Sequence, residues 1–349
     1  MDHFKLKFYA PRCNASHFLL PYLERDGMLT DEPGKADYLL CPFGFEFIVE
    51  YTNEQMYQMG FSVSDVREFK SIAEQLNSMS VKTGKPMVVI HYRDPSHDFG
   101  FENALVFRTS YNATNAGSKT FGLPAFVEGF PQNDNWVVRP KKSKPSVSFR
   151  GQSAPLMLPF KSELRIRAGK ILTHFGLPGT IRQYYNNGYM LRRSAIRSLL
   201  KLEKLIDLDI ALNQTNNALG YKEQYLKSFT ENDYFIAVSG HGNYSFRLFE
   251  IMREGRIPVF VNTDCLLPCQ DCIDWKKLLL WIEPEDVNRV AQIVLDTHNS
   301  LHPDDYCSWQ YQIRDHYQKY LTTEGFYHYW INFLNNRALA VNPLCDYNF

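Results

Sequence analysis

A short stretch in the second half of the chain combines a glycine loop, a hydroxyl, a guanidinium and a carboxylate. The loop SGHGN covers residues 239–243, and Ser245, Arg247 and Glu250 follow it. Two glycines allow a sharp turn and the close approach of a ligand to the backbone. Free N–H groups at a helix start and a planar guanidinium both bind phosphate. The pattern therefore predicts an anion site, and a nucleotide diphosphate is the common anion at such a place.

The residues around this loop predict a strand–helix–strand unit. Residues 234–238 form an apolar, β-rich run that is typical of a buried strand. Asn243 or Ser245 is expected to cap the following helix. Gly255 is expected to end that helix, and the apolar run IPVFV at residues 257–261 predicts the next strand. The glycine loop would then be the first turn of a βαβ unit.

The stretch at residues 239–264, with the Leu-Pro and Asp-Trp pairs that follow it, resembles the core motif of the exostosin-like glycosyltransferases, glycosyltransferase family 47. The matching positions are Ser245, Arg247, Glu250, Gly255, Ile257, Pro258, Val259, Leu267, Pro268, Asp274 and Trp275. Two positions depart from the family pattern: Ser239 stands where proline is usual, and Ile251 stands where alanine is common. Both departures concern packing or turn shape and leave the charged positions intact.

The resemblance implies a site for a nucleotide-sugar donor, with uridine diphosphate as the usual nucleotide. The diphosphate would meet the backbone of residues 240–245, the Ser245 hydroxyl and Arg247, while Glu250 would accept hydrogen bonds from the ribose. As alternatives, Arg247 forms a surface salt bridge with Glu250 or Glu254, and Glu250 is an ordinary helix-face carboxylate. Arg165 and Arg167 could add positive charge. The full predicted donor set is Arg150, Gly151, Ser239, Gly240, Asn243, Tyr244, Ser245, Phe246, Arg247 and Glu250.

The predicted catalytic base lies in the first half of the chain, after the apolar run MVVI at residues 87–90. Asp94 is the first choice, because the family often places an aspartate just after this strand, and the alternatives are His91, Asp98 and Glu46. Each of these could instead be a turn residue. Retaining GT-B enzymes often carry a second glutamate at a fixed spacing from the first, and Pro258 occupies that place here. The sequence therefore favours inversion.

Composition and spacing argue against several other classes of protein. Lys plus Arg (38) equals Asp plus Glu (38), so no overall field favours nucleic acid or an anionic membrane. The seven cysteines lack zinc-site spacing, and no D-x-D triad suits a divalent metal at the diphosphate. We expect catalysis without a metal or other cofactor, because an arginine and a helix start are available. The basic region at residues 161–204 is a solvated face or attracts an anionic donor or acceptor glycan.

The location is predicted from sequons and hydropathy. The N-terminus lacks the apolar run of a signal peptide, and no run of about 18 apolar residues appears. N-glycosylation sequons occur at Asn14, Asn112, Asn213 and Asn243, and a glycan at Asn243 would block the donor loop. We therefore expect a cytoplasmic protein with no membrane span, although peripheral association is possible.

The order of apolar runs predicts an α/β chain with parallel βαβ units. Residues 136–145 resemble a linker, and residues 147–151 open the second domain. The resemblance implies a GT-B fold, in which two Rossmann-like domains with parallel sheets face each other across a cleft and C-terminal helices cross back to the first domain. The expected domains are an acceptor domain at residues 1–140, a donor domain at 146–302 and a helical tail at 303–349.

Three functions are compatible with these sequence features. The first is an inverting glycosyltransferase that moves one sugar from a nucleoside-diphosphate sugar to a hydroxyl of a glycan or glycolipid, for a polysaccharide or a glycoprotein. The second is a non-catalytic GT-B subunit that binds nucleotide sugar or glycan. The third and weakest is a GT-B sugar epimerase. The intact Ser245, Arg247 and Glu250 favour the first.

Overall fold

The computed structural model describes most of the chain: residues 6–46, 55–56, 60–92, 99–127, 136–158, 161–162, 188–212 and 218–341. The chain divides into two compact units. The first comprises Met1–Phe126, Leu266–Cys269 and Lys319–Phe349, and the second comprises Val127–Cys265 and Gln270–Gln318. No helix in the described segments is both long and apolar enough to span a bilayer.

Each unit is built on one parallel β-sheet. The strands are β1 (Phe8–Tyr9), β2 (Leu29–Thr30), β3 (Tyr38–Gly44), β4 (Met87–His91), β5 (Ala104–Arg108), β6 (Thr120–Gly122), β7 (Ser146–Gly151), β8 (Asp207–Leu212), β9 (Tyr234–Ala237), β10 (Ile257–Val261) and β11 (Leu280–Ile282). The sheet order is β2-β1-β3-β4-β5-β6 in the first unit and β11-β10-β9-β7-β8 in the second. Every one of these strand pairs is parallel. The α/β prediction of two parallel sheets is confirmed.

The helices connect the strands and cover the sheets. They are α1 (Leu20–Arg25), α2 (Val63–Thr83), α3 (Gly188–Leu200), α4 (Ala218–Glu231), α5 (Phe246–Arg253), α6 (Trp275–Leu278), α7 (Val290–Ser300), α8 (Pro303–His316) and α9 (Thr323–Val341). Strands β3, β4 and β10 are buried along their whole length, as expected of parallel strands covered on both faces. This burial explains why their sequences are continuous apolar runs.

Local sequence signals set the ends of the long helix in the first unit. Ser62 and Asp65 form a reciprocal capping box at the start of α2, and Gly84 ends the helix with φ of 73°. The sequence of residues 53–80 has a helical pattern that predicts a long helix interrupted near Gly60, and the structure confirms it from Val63 onward. Its beginning falls partly outside the described residues.

The end of the chain belongs to the first unit. Trp330 of α9 is fully buried and stacks on Phe8 of β1 with ring centroids 5.3 Å apart. The Tyr38 hydroxyl donates a hydrogen bond of 2.8 Å to the Leu334 carbonyl. Helix α8, by contrast, belongs to the second unit. The aromatic residues of the tail therefore form a core with the first sheet.

The segment predicted as a linker, residues 136–145, is bonded to the second unit. Arg139 forms a 3.0 Å ion pair with the buried carboxylate of Asp233, and the Trp136 indole donates 2.8 Å to the Glu254 carbonyl. Gly255 makes room for the Trp136 ring, which any Cβ at that position would meet. These contacts fix the segment at the end of α5 and the start of β9.

Candidate active site

The predicted glycine loop connects β9 to α5 and is tied down at both ends. The Gly240 N–H donates 2.8 Å to the Tyr244 carbonyl. The Asn243 side chain donates 3.1 Å to the Thr263 carbonyl and accepts 2.7 Å from the Thr263 hydroxyl. The predicted strand, loop, helix and strand are all confirmed, with Ser245 as the N-cap of α5. Ser245 accepts no side-chain capping bond there.

Arg247 reaches from the first turn of α5 back over the end of β7. Its guanidinium lies 4.9 Å from the centroid of the Phe149 ring, and one of its Nη atoms donates to the Arg150 carbonyl. Gly151 permits this position, because a Cβ there would lie 3.1 Å from Nη2. In the described part of the chain, neither Glu250 nor Glu254 forms the ion pair that was the alternative for Arg247. The hydrogen bonds of its guanidinium go to the Tyr225 hydroxyl and the Arg150 carbonyl, which are both neutral.

Tyr225 of α4 connects the arginine to the predicted ribose-binding carboxylate. Its hydroxyl donates to Oε2 of Glu250 and accepts 3.3 Å from Nε of Arg247. Burial raises the pKa of Glu250, against the opposing effects of Tyr225 and Arg247. Burial lowers the pKa of Arg247, but Tyr225 and Glu250 raise it and the net direction is upward. The result is a carboxyl with one oxygen fixed and a permanent cation beside it.

Arg150 has a different environment from Arg247. Its Nε donates 3.2 Å to Oδ2 of Asp209, and its Nη2 pairs with Oδ1 of the same carboxylate. Its remaining Nη donates 3.2 Å to the Gln224 side chain. Asp209 thus neutralises the Arg150 side chain, while the Arg150 carbonyl supports Arg247.

A further arginine lies at this edge of the sheet and was not singled out from the sequence. Arg192 of α3 donates 3.1 Å to the Gln152 carbonyl and 2.8 Å to the Ser239 carbonyl. It lies in the basic region, but nothing in the local pattern separates it from the neighbouring cations. Arg165 and Arg167 of the same region lie outside the described residues.

The candidates for the base follow the strands of the first sheet. His91 ends β4 and is fully buried, with its ring 5.2 Å from that of Phe99. A Glu46 carboxylate oxygen accepts 3.2 Å from the Tyr92 N–H, so Glu46 and the end of β4 share one edge. Asp94 and Asp98 lie outside the described residues.

Two aromatic residues of the predicted donor set contact each other beside the glycine loop. The Tyr244 and Phe246 rings form an edge-to-face pair with centroids 5.4 Å apart.

Comparisons with solved structures give only weak similarities. A glycosyltransferase from Rickettsia africae ESF-5 is 10% identical, with 96% of this chain and 99% of that chain covered and a TM-score of 0.38. The spinosyn rhamnosyltransferase SpnG complexed with thymidine diphosphate is also 10% identical, with 95% and 99% covered and a TM-score of 0.37. The sucrose-phosphate synthase from Thermosynechococcus elongatus is 10% identical, with 97% and 100% covered and a TM-score of 0.36. These scores are too low to transfer any residue role.

The sequence comparison with protein families is decisive. No curated protein matches the chain. The family model for the Exostosin GT47 domain matches residues 10–296, which include every strand of both sheets except β1 and the whole Arg247–Tyr225–Glu250 arrangement. The chain therefore belongs to the exostosin family, glycosyltransferase family 47.

Proposed function

We propose that the protein is an inverting glycosyltransferase that moves a sugar from a nucleoside-diphosphate sugar, with uridine diphosphate as the first candidate, to a hydroxyl of a glycan or glycolipid. One observation carries this proposal. In this member of family 47, Arg247 and the half-buried Glu250 of α5 both form a hydrogen bond with the Tyr225 hydroxyl, and Arg247 has no ion pair with a described carboxylate. A polysaccharide or glycoprotein glycan is the acceptor class that we propose.

The proposed reaction needs a stabilised leaving group. The acceptor oxygen forms a bond to the anomeric carbon, the bond from that carbon to the β-phosphate oxygen breaks, and its electron pair stays on the diphosphate. Arg247 and the N–H groups at the start of α5 would stabilise the charge that develops there. Because the hydrogen bonds of Arg247 go to neutral oxygens and no described carboxylate forms an ion pair with it, its guanidinium is suited to bind the diphosphate. The same fixed cation supports metal-independent catalysis, which would survive treatment with EDTA.

Glu250 is suited to bind the ribose of the donor. Tyr225 occupies Oε2, so Oε1 can accept a hydrogen bond from a ribose hydroxyl. The backbone of Gly240, which has no side chain to block it, lies in the same loop. We keep Gly151, Ser239, Asn243, Tyr244, Ser245 and Phe246 in the proposed donor set, because each lies beside this loop or beside Arg247.

The acceptor hydroxyl must lose its proton to a base as the new bond forms. Asp94 remains our proposal, with Asp98 as the alternative. His91 is less suited in this structure, because its ring is fully buried and out of reach of an acceptor. Asp94→Asn should abolish sugar transfer while nucleotide binding stays intact. Asp98→Asn is the matched comparison.

We also propose a cytoplasmic location. Support comes from the sequon at Asn243 in the donor loop. The side-chain nitrogen of Asn243 donates a hydrogen bond to the Thr263 carbonyl, which follows β10. A glycan on that nitrogen would occupy the loop and disturb this bond. Passing the protein through a secretory pathway and then measuring nucleotide binding with and without enzymatic removal of N-glycans tests the argument.

The central experiment measures melting temperature with a panel of nucleoside diphosphates, followed by turnover with the matching nucleotide sugars. We expect one nucleotide to raise the melting temperature, and Arg247→Ala and Glu250→Ala to remove that shift. Lys201→Gln, an exposed charge change in the same unit, should retain it. A shift without turnover on any acceptor would favour the non-catalytic subunit. Absence of any shift would contradict the transferase proposal.

A further inference from the structure

The first residue of helix α3, Gly188, packs closely against the loop that follows β9. A Cβ on Gly188 would collide with the Ser239 carbonyl oxygen, so only glycine allows this approach. The approach brings Arg192, one turn further along α3, to the same strand ends that hold Arg247. Two helices, α3 and α5, thus deliver one arginine each to the carboxyl ends of β7 and β9.

The two guanidinium groups converge on three consecutive residues at the end of β7. Arg247 donates to the carbonyl of Arg150 and lies over Gly151, and Arg192 donates 3.1 Å to the carbonyl of Gln152. Arg192 also donates 2.8 Å to the carbonyl of Ser239. Carbonyl oxygens orient a guanidinium but do not neutralise it. Among the described residues, no carboxylate forms an ion pair with either arginine.

Both guanidinium groups are partly removed from water, and the nearby Glu250 carboxyl offsets the charge of Arg247 without forming an ion pair with it. Burial, and then the positive charge of Arg247, lower the pKa of Arg192 to about 10. Both arginines therefore remain cations at neutral pH and repel each other. Nε of Arg192 is buried without a hydrogen-bond partner in the structure. An unpaired donor and two neighbouring cations in a partly dry site are unfavourable until an anion binds.

Among the described residues, no side chain fills the space between Gly240 and Arg192. A Cβ on Gly240 would lie 3.9 Å from Nη2 of Arg192, where a larger side chain would fill the approach to the guanidinium. The nearby carboxyl, Glu250, already accepts a hydrogen bond from Tyr225 on one oxygen. The described residues therefore leave the arginine pair open to an anion from outside the chain.

We propose that Arg192 and Arg247 bind one diphosphate together, one guanidinium to each phosphoryl group, and thereby select nucleoside diphosphates over monophosphates. This inference rests on the proposed function and assigns a role to Arg192 within that site. A diphosphate carries two phosphoryl groups and more negative charge than a monophosphate. It can therefore give each of the two guanidinium groups a phosphoryl group of its own, which a monophosphate cannot do.

The experiment is calorimetric titration of the full-length protein and its variants with inorganic pyrophosphate, orthophosphate, uridine diphosphate and uridine monophosphate. Pyrophosphate makes the result independent of the base. Arg192→Gln should weaken pyrophosphate and diphosphate binding by about tenfold or more, and monophosphate binding by about threefold at most. The control Lys201→Gln removes one exposed charge just beyond α3 and should bind all four ligands as the native protein does.

Each result separates this inference from the proposed function. If Arg192→Gln binds pyrophosphate as tightly as Lys201→Gln while Arg247→Gln does not, the pair is refuted and the donor site stands. If the native protein binds no diphosphate, both proposals fail. Arg192→Lys keeps the charge but loses the planar fork, so it provides a second test should the glutamine variant not fold. Diphosphate binding of this variant equal to that of the native protein would also overturn the proposal.

Discussion

Gly151 lies directly beneath the guanidinium of Arg247. A Cβ on Gly151 would be 3.1 Å from Nη2 and 3.3 Å from Nη1, and the glycine has φ of 155°. Both distances are shorter than ordinary van der Waals contact, and the backbone angle is one that other residues rarely adopt. The position of the arginine therefore depends on the absence of a side chain one residue beyond its carbonyl partner, Arg150.

Gly151→Ala should displace Arg247 and weaken nucleoside diphosphate binding by about threefold or more, because charge-assisted hydrogen bonds depend steeply on geometry. Calorimetric titration with uridine diphosphate measures the effect. Gly117→Ala is the matched control, since a Cβ there meets nothing within 4 Å. Equal affinity of the two variants would show that Arg247 tolerates the displacement or does not bind the ligand.

Arg150→Gln should lower stability and leave nucleotide affinity almost unchanged. The Arg150 side chain is paired with Asp209, which also accepts hydrogen bonds from Ser148 and Asn232. Removing the arginine leaves this partly buried carboxylate short of a partner, at a cost of about 1–3 kcal/mol in the free energy of unfolding. Urea unfolding measures the stability, and titration with uridine diphosphate measures the affinity.

Lys144→Gln is the control for this variant, because Lys144, just before β7, forms an exposed pair with Asp207 at the start of β8. Exposed pairs contribute about 1 kcal/mol at most, so this change should be nearly neutral. A loss of nucleotide affinity in Arg150→Gln comparable to that in Arg247→Gln would assign the Arg150 side chain itself to the donor site.

The strand–helix–strand unit could be predicted from the sequence because each of its signals is local. Residues 257–261 form a short apolar run, Ser245 is a standard N-cap, and Gly255 ends the helix with φ of 55°. Each feature depends on residues within one or two turns of the chain. The resemblance to family 47 adds to these signals, because its motif lies in the same thirty residues.

The surroundings of the site could not be predicted because they depend on distant contacts. Tyr225 and Glu250 are 25 residues apart, and Arg150 and Asp209 are 59 apart. Arg192 lies among other basic residues, and only the approach of α3 to Ser239 distinguishes it. Sequence patterns report which face of an element is buried, but not which two faces meet.

Tyr225→Phe should weaken nucleotide binding without unfolding the protein. The hydroxyl fixes Glu250 and contacts Arg247, so its loss frees both groups while the ring keeps its packing against Phe229. One such hydrogen bond contributes about 1 kcal/mol, or about a fivefold change in affinity. Titration with the nucleoside diphosphate that stabilises the native protein provides the measurement.

Tyr221→Phe is the matched control for Tyr225→Phe, since Tyr221 lies one turn earlier on α4 with its ring stacked on that of Tyr225. Its hydroxyl forms no hydrogen bond with the described residues, so the change should affect affinity much less than Tyr225→Phe, although Tyr221 also lies near Arg247. If both variants bind alike, the hydroxyl of Tyr225 does not position the donor site.

Glu250→Gln should change how stability depends on pH. Burial raises the pKa of Glu250 above its ordinary value of 4.5 in the folded protein. The folded state therefore holds the proton more tightly than the unfolded state, so this group's contribution to stability is fully present below pH 4.5. That contribution is lost as pH rises from there through the raised pKa of the folded protein.

Urea unfolding of the native protein and of Glu250→Gln across this pH range measures the contribution as a difference, because the other titrating groups are common to both chains. The free energy of unfolding of the native protein should fall relative to that of the variant as pH rises, and the difference should then become constant once Glu250 is ionised in both states. The amide keeps the shape of the carboxyl and still accepts a hydrogen bond from Tyr225, so packing contributes little to the slope. A difference that grows in favour of the native protein with rising pH would mean that Arg247 and Tyr225 stabilise the carboxylate more than burial opposes it.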